Sequence, residues 1–224
     1  VMTKNRQTKE TPVAALAGNP NVGKSTIFNA LTGMRQHTGN WPGKTVSLAQ
    51  GVCVYKGEEI RLVDLPGTYA LVSKSQEEAL AAGFVSGGEA DCVIAVCDAT
   101  SLERSLILAL QVMELTDRVF VCVNLMDEAK KQGIEIDLAA LSFELGVPVV
   151  AASASREEGM RELLEQLRRI LDGFEVPRPR RCGVVPDSIR ESHLGAEALR
   201  GASGRASDEI AAQFVRRAEE IAKR

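Results

Sequence analysis

The sequence predicts an α/β fold in which a mostly parallel sheet of six or seven strands has helices on both faces. Two observations predict it. Apolar runs of strand length alternate with helical segments from residue 13 to about residue 172, as in parallel-sheet proteins. Asp91–Asp98 and Arg118–Val123 are almost continuously apolar, which is typical of strands buried on both faces. In such a sheet, ligands bind at the carboxyl ends of the strands.

The composition limits the class of protein. The 224 residues are 45% hydrophobic, enough for one sizeable core and a smaller appendage. The net charge of -3 gives no general basic field, so nucleic acid is not an expected partner. We see neither a signal peptide nor an apolar run of about 18 residues, so we expect this segment to be soluble. The five cysteines form no CxxC pair and are expected to be buried thiols in a reducing compartment.

The first element is a strand at Val13–Ala17, followed by a glycine-rich turn and a helix from Ile27. Residues 34–45 are rich in Gly and Pro and are predicted to form a long loop. A hairpin at Val46–Asp64 follows. The remaining segments up to residue 172 are helices at Ser75–Phe84, Leu102–Leu115, Asp137–Leu145 and Gly159–Leu171, and strands at Asp91–Asp98, Arg118–Val123 and Val147–Ala152.

The turn after the first strand reads G-x-x-x-x-G-K-S, the pattern of a phosphate-binding loop. Backbone N–H groups and the helix N-terminus face the phosphates in such a loop. Lys24 would reach the β- and γ-phosphates, and the Ser25 hydroxyl would bind Mg²⁺. The predicted nucleotide-binding residues are Gly18, Asn19, Pro20, Asn21, Val22, Gly23, Lys24, Ser25 and Thr26.

Asp64-x-x-Gly67 follows a strand about 40 residues after that loop. Asp64 is predicted to hold Mg²⁺, through a bound water, and the Gly67 N–H to contact the γ-phosphate. In the long loop, Thr45 is the candidate for a hydroxyl that binds Mg²⁺ only when the γ-phosphate is present. Lys24, Thr45 and Gly67 are the candidate catalytic residues in these motifs.

Asn124-Leu125-Met126-Asp127 follows the next-to-last strand and indicates which nucleotide base the site binds. Guanine presents N1–H and an exocyclic amine side by side, and the Asp127 carboxylate can accept from both. Adenine would leave that carboxylate unpaired. Asn124 would brace the neighbouring loop. Ser153-Ala154-Ser155 follows the last strand, and the Ala154 N–H is a candidate donor to guanine O6.

The composition changes after Gly173. A Pro- and Arg-rich segment contains Arg178, Arg180 and Arg181, for which a solvated linker is a simpler explanation than contact with acidic lipid headgroups. Two helices are predicted beyond it, at Ser188–Leu199 and Ser207–Lys223. We therefore divide the chain into a domain at 1–174 and a short helical domain at 175–224.

Together these motifs resemble the five signature elements of Ras-like P-loop GTPases. Five segments are similar to the N-terminal part of FeoB, the bacterial ferrous iron transporter. They are G-N-P-N-V-G-K-S-T, G-N-W-P-G-K-T, D-L-P-G-T-Y, N-L-M-D and Asp98–Arg104. The resemblance implies a GTPase at the cytoplasmic face of the membrane. It implies a helical domain of the kind that stabilises bound GDP, a permease following residue 224, and coupling of the nucleotide state to Fe²⁺ uptake. Most GTPases have lysine at the position of Leu125, and an aliphatic residue there is also similar to this family. The sequence is compatible with an oligomer.

Hydrolysis needs a further element, because Thr68 stands where Ras-like enzymes often place a water-orienting glutamine. In GTPases that resemble this one, the residue equivalent to Asn21 helps hold K⁺ beside the phosphates, with backbone carbonyls near Gly39 and Trp41. The resemblance thus implies that K⁺ accelerates hydrolysis and that Asn21→Ala removes the effect.

Three other interpretations remain open from the sequence. The first is a GTPase of ribosome assembly or tRNA modification, which salt-dependent RNA binding would favour. The second is a GTP-binding module with negligible turnover. The third is relaxed base choice with use of ATP, because Leu125 replaces lysine.

Overall fold

The computed structural model describes residues 11–33, 36–40, 47–71, 75–185 and 205–223; for 36–40, 47 and 205–208 the backbone alone is described. Several predictions lie outside these residues: Thr45, Trp41, the helix at 188–199 and the loop at 201–204. The domain boundary at residue 174 stays a prediction.

Seven strands form one sheet in the order β2-β3-β4-β1-β5-β6-β7. β1 pairs in parallel with β4 and β5, and β6 in parallel with β5 and β7. β3 is antiparallel to both of its neighbours. The mostly parallel sheet is therefore confirmed. The strands are β1 Val13–Gly18, β2 Gln36–Asn40, β3 Ser47–Tyr55, β4 Glu58–Asp64, β5 Cys92–Asp98, β6 Val119–Asn124 and β7 Val149–Ala151.

The described helices lie between and after the strands. They are α1 Lys24–Thr32, α2 Gln76–Ser86, α3 Leu102–Leu115, α4 Met126–Lys131, α5 Leu138–Leu145, α6 Met160–Leu171 and α7 Arg205–Ala222. Local sequence explains their ends: Ser75 and Glu78 form a capping box at α2, and Gly146 ends α5 in a left-handed conformation. Apolar residues cover both faces of the sheet in two clusters, one including Phe28 and Leu163 and the other Leu106 and Phe214.

One prediction about the long loop is wrong. Residues 34–45 were expected to be loop throughout, but Gln36–Asn40 forms the edge strand β2, antiparallel to β3. The segment has no alternation of apolar and polar residues, the pattern by which a strand is predicted from sequence. Its strand conformation comes from backbone pairing with β3, a tertiary contact that composition does not encode.

The arginine-rich segment is also not a solvated linker. The Arg181 Nε donates to the Met113 carbonyl oxygen at 2.7 Å, and its guanidinium pairs with Asp117. The Arg180 guanidinium lies 4.3 Å from the centroid of the Phe143 ring. The segment is docked on α3 and α5, which corrects the expectation from its Pro- and Arg-rich composition.

A buried carboxylate holds the end of this segment. Glu114 on α3 is 0% exposed and accepts from the backbone N–H groups of Gly183, Val184 and Val185 at 3.0, 3.1 and 3.1 Å. α7 covers the same region with Phe214, Ala218 and Ile221. The residues after Gly173 and α7 thus share one apolar cluster with α3.

The five cysteines are free, and four of them are buried. Burial raises the pKa of Cys53 to about 11 and that of Cys97 to about 12. These thiols stay protonated near neutral pH and pack as small apolar side chains.

Candidate nucleotide-binding site

The glycine-rich turn joins β1 to α1 at the carboxyl edge of the sheet. Gly23 has a φ of 85° and is the N-cap of α1, whose first turn is closed by the Ile27 N–H donating to the Gly23 carbonyl oxygen. A Cβ on Gly18 would come within 2.7 Å of the Val96 carbonyl oxygen. Both glycines are therefore required, Gly23 by its backbone conformation and Gly18 by the close approach of β5.

The side chains of Lys24, Ser25 and Asp64 lie in contact with one another beside this turn. The Lys24 Nζ lies 3.9 Å from Asp64 Oδ1, and the Ser25 hydroxyl donates to Asp64 Oδ2 at 3.0 Å. Burial lowers the pKa of Lys24 although Asp64 opposes the shift, and burial raises the pKa of Asp64 although Lys24 and Ser25 oppose it. Among the described residues Asp64 Oδ1 is buried without a hydrogen-bond partner. The Lys24 and Asp64 side chains are largely shielded from water, and their interaction with each other offsets only part of the desolvation penalty of their charges. This combination is typical of ligand sites.

The Asp64-x-x-Gly67 turn packs directly on the glycine-rich turn. A Cβ on Gly67 would lie 3.2 Å from Pro20 Cα and 3.4 Å from Lys24 Nζ. Next to it, Thr68 Oγ1 lies 2.6 Å from the Ala70 carbonyl oxygen and 3.1 Å from Glu78 Oε1. The Thr68 hydroxyl is thus engaged by its own turn and by α2.

Asn124, at the end of β6, joins two loops. Its Nδ2 donates to the Val22 carbonyl oxygen at 3.0 Å, and its Oδ1 accepts from the Ala154 N–H at 3.0 Å. Asn124 is 1% exposed, so both bonds are shielded from water. The predicted bracing role matches this geometry. The Ala154 N–H, expected to face guanine O6, is here directed to Asn124.

Asp127 follows in the first turn of α4, where its N–H donates to the Ser153 hydroxyl at 3.1 Å. Leu125, between Asn124 and the helix, has a φ of 63°. A branched side chain in the left-handed region is strained, and such strain concentrates at ligand sites. A single distorted residue therefore turns the chain so that Asn124 points inward and Asp127 lies beside the Ser153–Ser155 loop.

The structure brings together most of the predicted residues: Gly18 through Thr26, Asp64, Gly67, Asn124 through Asp127, and Ser153 through Ser155 all lie at the carboxyl edge of the sheet. The remaining three are in the long loop. Gly39 lies in β2 opposite Leu48, whereas Trp41 and Thr45 fall outside the described residues.

Two arginines near the site were not identified from the sequence. Arg156 pairs with Asp127, with 3.1 Å between its Nε and Oδ2. Arg104 on α3 stacks 4.5 Å from the centroid of the Tyr69 ring, and its carbonyl oxygen accepts from Asn19 Nδ2 at 3.4 Å. Arg156 directly follows Ser153-Ala154-Ser155 in the sequence. Its role could have been recognised from this position, because that loop was predicted to contact the base.

The family model described as Ferrous iron transport protein B matches residues 12–167. The chain belongs to this family. The Fe(2+) transporter FeoB of Escherichia coli K12 is 45% identical over 165 residues, covering 72% of this chain and 21% of that protein. The Fe(2+) transporter FeoB of Campylobacter jejuni is 40% identical over 164 residues, 73% of this chain and 27% of that protein.

Solved FeoB structures share the fold. The cytosolic domain of the Thermotoga maritima FeoB iron transporter in a GDP form has a TM-score of 0.83 and 32% identity, covering 95% of this chain and 98% of that one. The same domain in a GMPPNP form has a TM-score of 0.81 and 34% identity, covering 95% and 98%. The Ras-like GTPase fold of FeoB is thus confirmed. The chain spans about a quarter of the length of the curated relatives it matches.

No helix in the described part of the chain is long and apolar enough to cross a membrane. Nor do those residues contain a cluster of three or more His, Cys, Asp or Glu side chains suited to a metal ion.

Proposed function

We propose that this chain binds GTP and hydrolyses it to GDP and phosphate as the nucleotide-dependent part of a ferrous iron transporter. The observation that carries the proposal is the Asn124 side chain, which ties the glycine-rich turn to the Ser153–Ser155 loop and sets Asp127 beside them. The loops that we propose to bind the phosphates and the base are thereby held at one edge of the sheet, an arrangement that suits a guanine nucleotide. Relatives solved with GDP and GMPPNP support this assignment.

The residues present fit a magnesium ion. Mg²⁺ prefers hard oxygen ligands, and the Ser25 hydroxyl and the Asp64 carboxylate provide them 3.0 Å apart. The buried Asp64 Oδ1 has no hydrogen-bond partner among the described residues and can accept from an ion-bound water. Ser25 and Asp64 would hold the ion, with Thr45 added when GTP is bound. When bound, Mg²⁺ neutralises charge on the β- and γ-phosphates.

In hydrolysis, water attacks the γ-phosphorus and the bond to the β–γ bridging oxygen breaks. Lys24 is placed to neutralise the negative charge that grows toward the β-phosphate. A phosphate beside Lys24 would raise the lysine pKa that burial lowers, and so favour the ammonium form. The Gly67 N–H would donate to the γ-phosphate, which makes the Asp64–Gly67 turn sensitive to its presence.

Two finer parts of the proposal concern K⁺ and transport. Asn21, with Gly39 and Trp41, would bind K⁺ beside the phosphates and accelerate hydrolysis. The loops around Thr45 and Gly67, which respond to the γ-phosphate, would couple the nucleotide state to Fe²⁺ uptake through a membrane permease in the longer protein. The chain would lie at the cytoplasmic face of the membrane. The names of the relatives, Fe(2+) transporters several times longer than this chain, support this context.

The test is titration of a fluorescent N-methylanthraniloyl (mant) derivative of GDP with Mg²⁺, followed by phosphate release from GTP. We expect saturable binding that excess GTP competes away and excess ATP does not. Lys24→Ala should abolish binding through the phosphates, and Asp127→Ala should abolish the preference for guanine. Lys130→Ala, an exposed change on α4, is the matched control. Binding that persists undiminished in both site variants would contradict the proposal.

A further inference from the structure

The carboxylate expected to recognise the base is covered by an arginine from the neighbouring loop. The Arg156 Nε lies 3.1 Å from Asp127 Oδ2. The Asp127 side chain is 9% exposed, whereas that of Arg156 is 52% exposed. Asp127 Oδ1 is buried and has no hydrogen-bond partner among the described residues. One oxygen of this carboxylate is therefore engaged by a cation, and the other retains unused capacity to accept a hydrogen bond.

The backbone that carries Arg156 is firmly held. Ser153 and Glu158 exchange two backbone hydrogen bonds, at 3.0 and 3.3 Å, which close a tight loop. The Arg156 N–H donates to the Ser153 carbonyl oxygen at 2.9 Å within that loop. Any movement that uncovers Asp127 is therefore a rotation of the half-exposed Arg156 side chain, and the loop itself need not open.

We propose that Arg156 is a latch that competes with guanine for Asp127 and so lowers the rate and affinity of nucleotide binding. Guanine offers N1–H and its 2-amino group, and pairing with both needs the two carboxylate oxygens of Asp127. Arg156 pairs with Oδ2 of this carboxylate, and its side chain must rotate into solvent before the purine can bind. This inference rests on the proposed guanine-binding function of the same site.

The size of the effect follows from the exposure of the two partners. Ion pairs with an exposed member contribute little, so removal of the guanidinium should raise the affinity for guanine nucleotide about two- to fivefold. The gain should appear in the association rate, because the pair must break before the base docks. It should also shrink with added salt, because screening weakens the pair in the wild-type chain.

The experiment measures stopped-flow binding of mant-GDP with Mg²⁺ to the nucleotide-stripped chain and two variants. Arg156→Gln keeps a long polar stem but removes the charge. Arg161→Gln, an exposed arginine on α6, makes the same change in net charge away from Asp127. We expect faster association in Arg156→Gln and wild-type behaviour in Arg161→Gln. The difference should fall at about 0.5 M added choline chloride, where the Debye length is about 4 Å.

The outcomes separate the latch from the function on which it rests. Failure of the wild-type chain to bind mant-GDP overturns both. Normal wild-type binding with unchanged association in Arg156→Gln overturns the latch alone. Weaker binding with faster dissociation in that variant also overturns it, because Arg156 would then support Asp127 in the complex. Equal acceleration in Arg156→Gln and Arg161→Gln would indicate a general charge effect and likewise overturn the latch.

Discussion

The Asn124 side chain donates to the Val22 carbonyl oxygen at 3.0 Å across 102 residues of sequence. The same amide passes so close to Gly23 that a Cβ on this glycine would collide with Asn124 Nδ2. Gly23 is therefore required by a second constraint besides its φ of 85°. The glycine-rich turn and the Asn124–Asp127 motif are two parts of one packed unit, and a change in one is expected to affect the other.

Gly23→Ala should damage this unit more than backbone strain alone would. Gly57 has a similar φ of 82°, but a Cβ there meets no atom within 4 Å, so Gly57→Ala measures the strain by itself. We expect Gly57→Ala to cost about 1–2 kcal/mol of unfolding free energy. Gly23→Ala should cost more and also abolish mant-GDP binding. Urea unfolding and mant-GDP titration measure the two effects. Equal losses of stability with binding intact in both variants would contradict the prediction.

The contribution of Lys24 to the stability of the unbound chain should increase as the pH rises toward 10.5. Burial lowers the pKa of Lys24 in the folded state, whereas the unfolded chain keeps the ordinary value of 10.5. Between the two values this residue binds more protons in the unfolded state, so its part of the unfolding free energy increases with pH. The buried thiols, whose pKa burial raises, contribute the opposite slope in every variant. The unfolding free energy should therefore rise less, or fall more steeply, with pH in Lys24→Met than in the wild-type chain, and Lys130→Met, at an exposed lysine, should follow the wild-type slope. Urea unfolding across this range checks the slope. A wild-type curve parallel to that of Lys24→Met would disprove the assignment.

K⁺ should accelerate GTP hydrolysis over Na⁺ at equal ionic strength, and Asn21 should be needed for the difference. Asn21 has a φ of 66°, so Asn21→Ala would also strain the backbone. Asn21→Gly removes the carboxamide without that strain and is the better test. We expect equal phosphate release in KCl and NaCl for Asn21→Gly. Equal rates in the two salts for the wild-type chain would eliminate the K⁺ proposal.

Glu114→Gln should loosen the segment that follows Gly173. Its carboxylate accepts three backbone N–H groups, and an amide supplies one acceptor oxygen in place of two. We expect a loss of about 2 kcal/mol in unfolding free energy and faster tryptic cleavage after Arg180 and Arg181. Glu103→Gln, an exposed change on the same helix, is the control. Identical cleavage rates in the two variants would show that the carboxylate does not hold the segment.

Sequence reasoning worked best where chemistry is encoded locally. G-N-P-N-V-G-K-S specifies its own turn, because the glycine conformations and the helix start are properties of adjacent residues. It failed where a partner outside the segment decides the outcome. β2 exists because β3, the next strand in the chain, pairs with it, and Arg180 and Arg181 dock because Phe143, Met113 and Asp117 lie beside them. The partners of the two arginines are far from them in sequence.

The sequence alone predicted the parallel sheet, the glycine-rich turn and Asp64, Asn124 and Asp127 as candidate site residues, because these follow from local spacing and from the alternation of apolar segments. Only the tertiary structure decided that Asn124 joins the phosphate loop to the Ala154 loop and that Arg156 covers Asp127. The physical reason is that hydrogen bonds and ion pairs depend on distances of a few ångströms. Such distances between residues far apart in the chain are set by packing.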